Sequence, residues 1–76
     1  MALISTYYAG NGDEGKAEVH KNMEEGTCFI RYYDSNGIRF FTEEFPGKSL
    51  YYVEDAAENW ALGIKKLNKQ YGSTLL

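Results

Sequence analysis

Residues 49–72, SLYYVEDAAENWALGIKKLNKQYG, decide how the rest of the chain is read. Leu50, Val53, Ala57, Trp60, Ile64, Leu67 and Tyr71 recur at steps of three and four, which places them on one stripe of an α-helix. Ser49 is suited to cap that helix, because its hydroxyl can accept from an N–H that the first turn leaves unpaired. Gly72 falls where a helix favours positive φ just beyond its end. Glu54, Asp55 and Glu58 lie towards the start and Lys65, Lys66 and Lys69 towards the end, which complements the helix dipole. The spacing predicts one helix over about 50–71.

Upstream, residues 27–33 and 38–45 are rich in aromatic and β-branched side chains and flank Asp34-Ser35-Asn36-Gly37. Asp at the first position and Gly at the last predict a type I turn with the glycine in a left-handed bulge, and therefore a β-hairpin. That turn sets a register in which Cys28, Ile30 and Tyr32 share a face with Ile38, Phe40 and Thr42. None of the six is charged, so this face is assigned to the core. The opposite face then carries Phe29, Arg31, Tyr33, Arg39, Phe41 and Glu43. Phe45 falls out of phase with the core, and a bend near Glu43-Glu44 is expected to turn it inward.

Residues 3–9 read as a first strand, and Gly10-Asn11-Gly12-Asp13-Glu14-Gly15 then breaks regular structure. Residues 16–22 alternate weakly and are polar enough to suggest a strand near an edge. The fold class is α+β, a three- to four-stranded antiparallel meander with one long C-terminal helix on one face. A single helix leaves the second face uncovered. Phe29, Arg31, Tyr33, Arg39 and Phe41 on that face are the candidate binding residues, since clustered exposed aromatics mark interaction surfaces. The competing reading is that strands favour aromatics in any case and arginine stems cover them.

Seventy-six residues make one small domain, 1–76, stabilised by seven Tyr, four Phe and one Trp. The net charge of −3 opposes binding to nucleic acid by charge alone. Cys28 is the only cysteine, which excludes an internal disulfide and favours a reducing compartment. No apolar run is long enough to span a membrane, and the N-terminus lacks the basic region of a signal peptide. A cytoplasmic location is expected.

The chemistry-bearing patterns are incomplete. Gly47-Lys48-Ser49 before a helix matches only the end of a P-loop, and the earlier glycine it needs is replaced by Thr42. Asp34 to Gly37 lacks the spacing of a calcium loop. His20 and Glu18 share a strand face, but two ligands do not make a zinc site. The acidic pairs have no evident cleft around them. No enzyme activity, metal or cofactor is expected.

The Asp-x-Asn-Gly hairpin, the following phenylalanine and a helix carrying Glu54-Asp55-Ala56-Ala57-Glu58-Asn59-Trp60 resemble the N-terminal DNA-binding domains of tyrosine integrases, over about residues 27–62. The same region is similar to plant DNA-binding domains of the ethylene-response type. The resemblance implies a sheet face that enters the major groove, with Arg31 and Arg39 contacting bases or phosphates beside Phe29, Tyr33 and Phe41. Those families have a basic second hairpin strand, whereas this one ends Thr42-Glu43-Glu44. Phe45-Pro46-Gly47-Lys48-Ser49-Leu50 and Ala56-Ala57-Glu58-Asn59-Trp60 also resemble short proteins of tailed cyanobacterial phages, which implies a host-cytoplasmic setting and no activity.

The first expectation is a non-catalytic interaction domain that binds a protein partner or itself. A helix of about 33 Å would overhang strands of about 23 Å, so Leu67 and Tyr71 in its last turn are further candidates for contact. Sequence-specific DNA binding through the sheet face ranks second because of the charge.

Overall fold

Each strand is followed by a short connection, so consecutive strands lie side by side. The computed structural model describes residues 2–64. Strands β1 (Ala2–Tyr8), β2 (Lys16–Lys21), β3 (Cys28–Tyr33) and β4 (Arg39–Phe45) form one antiparallel sheet in the order β1-β2-β3-β4, and helix α1 (Leu50–Ala61) packs on one face of it. The N-terminal segment thus pairs in the sheet. The polar strand β2, expected near an edge, lies inside the sheet between the edge strand β1 and β3. The glycine-rich connection holds one 3-10 turn, Ala9–Gly12.

The hairpin turn forms as its residues predict. Gly37 N–H donates to the Asp34 carbonyl at 3.0 Å, and Asp34 N–H donates to that of Ile38 at 2.9 Å. The Asp34 carboxylate also accepts from the N–H groups of Asn36 at 2.9 Å and Ile38 at 3.0 Å. Tyr33 consequently stands opposite Arg39, but the next pair is Tyr32 with Phe41, because a bulge takes up Phe40. A bulge lets two residues oppose one and reverses the phase beyond it.

This one-residue step corrects the assignment of faces in β4. Phe41, assigned above to the open face, is 1% exposed in the core. Phe40 is half-buried, and both phenylalanine rings lie against Tyr32, with centroids at 6.4 and 5.8 Å. Thr42 moves to the open face opposite Arg31, and Glu43 moves to the helix side opposite Ile30. There Glu43 accepts a hydrogen bond of 2.8 Å from the buried Tyr32 hydroxyl, which satisfies a polar group that would otherwise be costly to bury. Phe45, opposite Cys28, comes into phase through the same bulge, so no bend at Glu43-Glu44 is needed. Ile38, expected in the core, is beyond its end and 59% exposed.

Ser49 caps α1 as predicted, its Oγ accepting from Tyr52 N–H at 3.2 Å. The helix is shorter than its periodicity predicts. Gly63, at φ 81°, donates to the Trp60 carbonyl at 3.0 Å, and Ile64 donates to that of Asn59 at 2.9 Å. These two bonds make a Schellman closure, so Gly63 ends α1 and Glu58 belongs to its last turn. Residues 65–76, including Lys65, Lys66, Leu67, Lys69, Tyr71 and Gly72, lie outside the described residues. Twelve helical residues rise about 18 Å, less than the length of a seven-residue strand at about 23 Å. Over the described residues α1 is therefore shorter than the strands it packs on.

Val53 and Ala57 of α1 are buried against Ala17, Val19, Cys28, Ile30, Tyr32, Phe41 and Phe45, with Trp60 packed beside them. Small residues on β2 let the helix approach, and Trp60 meets Tyr32 edge-on at 5.0 Å. Ser5 of β1 donates to Glu54 of the helix at 3.1 Å. Gly15 enters β2 with φ 108°, and a Cβ there would lie 2.1 Å from the Tyr33 carbonyl oxygen. Only glycine permits that approach.

Candidate functional site

The face opposite α1 is laid out by the strand register. Three rows cross the sheet: Leu3-His20-Phe29-Glu44, Thr6-Glu18-Arg31-Thr42 and Tyr8-Lys16-Tyr33-Arg39. Among the described residues no element covers this face. Four of the five candidate residues, Phe29, Arg31, Tyr33 and Arg39, lie on it together, and Phe41 does not.

The interior position of β2 adds residues that the sequence reading left out. His20 stacks on Phe29 with centroids 5.2 Å apart and planes within 7°, and the Arg31 guanidinium lies over the same ring at 5.2 Å. Lys16 sits 5.0 Å above the Tyr33 ring. Glu18 joins these groups, with Oε2 at 3.1 Å from Lys16 Nζ and Oε1 at 2.9 Å from His20 Nε2. An ionised carboxylate only accepts, so Nε2 carries the proton in this bond. The alternation of Lys16, Glu18 and His20 signals their common face; it needed the pairing with β3 to show what that face meets.

These contacts shift two of the groups, Glu18 and Lys16. Partial burial works against the Glu18 charge, but hydrogen bonds from His20 and Lys16 outweigh it and hold the carboxyl below its ordinary value. The hydrogen bond to Glu18, only partly offset by burial, raises Lys16 above its ordinary value. Across the three rows there are three cations, Lys16, Arg31 and Arg39, against Glu18 and Glu44. This face is thus slightly positive in a chain of net charge −3.

Next to the rows, the connection from β2 to β3 borders an open concavity of about 530 Å³. Phe29, Arg31, Arg39, Thr42 and Glu44 line it, together with Glu25, Thr27, Cys28 and Pro46. It offers an aromatic surface flanked by both signs of charge, which suits recognition.

The other patterns have structural roles. Ser49 is the helix cap, and Lys48 lies 4.9 Å over the Tyr52 ring. The Asp34 carboxylate is engaged within its turn, and Cys28 is buried at 3% exposure. Among the described residues no three His, Cys, Asp or Glu side chains are grouped to hold a metal ion, and no helix is long and apolar enough to cross a membrane. No protein-family model, curated protein or solved structure matches the chain.

Proposed function

We propose that this chain is a non-catalytic binding domain that engages a protein partner through the open face of its sheet. The observation that carries this reading is the pre-assembled stack of His20, Phe29 and Arg31, held by Glu18, on a face that α1 leaves uncovered. Arginine is among the residues that dominate interface energetics, and side chains already held in place have less rotamer freedom to lose on binding. The domain acts in the cytoplasm, a setting supported by its lone cysteine. Capture from lysate tests the reading by comparing Phe29→Ala and Arg39→Ala with Tyr51→Ala, on the helix side. A partner lost with the first two variants and kept with the third supports it. A partner retained by all three, or no partner at all, counts against it.

A second reading rests on the gathering of Lys16, Arg31 and Arg39 on one face, the arrangement a DNA-binding sheet requires. Fluorescence anisotropy with duplex DNA at low and moderate salt separates the two. Binding that weakens steeply with salt favours DNA, and no binding at low salt removes it.

A further inference from the structure

The two edges of the sheet are built differently. β4 carries Arg39, Glu43 and Glu44 and is followed by Pro46, features that discourage another strand from adding. β1, ALISTYY, contains neither charge nor proline over seven residues. Its one irregularity, between Leu3 and Ser5, is near its start, and Ser5 to Tyr8 pair regularly with β2. Leu3, Ile4 and Tyr8 are 55%, 39% and 61% exposed.

The direction of the outer backbone groups follows from the ladder. Ala9 N–H donates to the Gly15 carbonyl at 3.0 Å, and the same register continues through Tyr7 with Ala17 and Ser5 with Val19. Antiparallel pairing alternates, so Ser5 and Tyr7 turn their N–H and C=O towards β2 while Thr6 and Tyr8 turn theirs away. Among the described residues no second strand pairs with β1.

We propose that β1 pairs antiparallel with β1 of a second copy of this chain, about a two-fold axis perpendicular to the sheet. Charge and symmetry select this occupant. An uncharged strand meets its own copy without like charges facing each other, and a two-fold seam engages the outward groups of Thr6 and Tyr8 in both copies at once. With Thr6 facing Thr6 of the copy, Tyr8 of each chain faces Ile4 of the other, so these exposed apolar side chains are shared across the seam. This axis keeps both helices on one side, so the two open faces join into one wider surface on the other. The seam uses none of the Phe29 stack and stands independently of the partner proposed above.

Sedimentation of the full chain over a wide concentration range tests the pairing. The mass should rise from the 8.7 kDa chain towards twice that value. Thr6→Pro removes an outward N–H and no bond to β2, and should weaken association at least about tenfold. Tyr8→Lys places a charge at the seam, should also weaken it, and decides the matter if the proline variant fails to fold. Phe29→Ala should leave association unchanged. A monomer at every concentration, folded edge variants that associate like the wild type, or an equal loss with Phe29→Ala would each overturn the proposal.

Discussion

Tyr32 stands opposite Phe41, and the bulge at Phe40 folds a second phenylalanine against the same ring. An aromatic cluster is therefore built around one tyrosine, with Trp60 meeting it from the helix. Phe41→Ala should destabilise the fold by about 3–5 kcal/mol, through lost burial and the cavity left behind. Phe29→Ala, on the open face, should cost about 1 kcal/mol or less. Urea unfolding of the two variants checks the difference, and similar losses would contradict the assignment of faces.

The same tyrosine makes stability sensitive to alkali. Burial, reinforced by the charge and hydrogen bond of Glu43, pushes the Tyr32 phenol far above its ordinary value of 10.0. A group raised in the folded state contributes fully below its unfolded pKa, and the contribution is lost as pH climbs above that value. Stability should fall above about pH 10, by up to about 1.4 kcal/mol per pH unit from this group. Tyr32→Phe should flatten that limb in unfolding curves taken at pH about 8 and about 11.

At the acid end the sign reverses. Glu18 is lowered in the folded state by the net effect of burial, which opposes, and the bonds from His20 and Lys16, which prevail. Its contribution is present above the ordinary value of 4.5 and is lost as pH falls through the lower folded value. Glu18→Gln should therefore reduce the loss of thermal stability below pH 4.5, as followed by circular dichroism.

Two glycines separate steric crowding from backbone conformation alone. Gly15→Ala should cost more than about 3 kcal/mol, because the new methyl meets the Tyr33 carbonyl. Gly63→Ala meets no atom of the described residues within 4 Å and retains the strain of φ 81°, about 1–2 kcal/mol. Thermal melts of the pair test the ranking.

Locally determined features were legible in the sequence. The Asp34–Gly37 turn and the Ser49 cap each depend on a few neighbouring residues. Phe40-Phe41 was not, since either ring can be the inward one until Tyr32 and Trp60 are placed around it. Gly63 carried the usual signal of a helix end, but Ile64, Leu67 and Tyr71 continue the apolar stripe and mask it. The open face was half legible. The turn set Tyr33 beside Arg39, whereas His20, Glu18 and Lys16 joined the site only once β2 was known to be interior. Phe41 left it because a bulge outside the turn reversed the phase.

The doublet at Phe40-Phe41 also bears on how the chain can change in length. The register steps over Phe40 between Arg39 and Phe41, so deleting either phenylalanine leaves the other opposite Tyr32 and every later pair intact. Removing one residue from Thr42 to Glu44 instead sends the side chains beyond it to the wrong side, Phe45 among them. Within β4, the doublet is where a codon can be lost without inverting the end of the sheet.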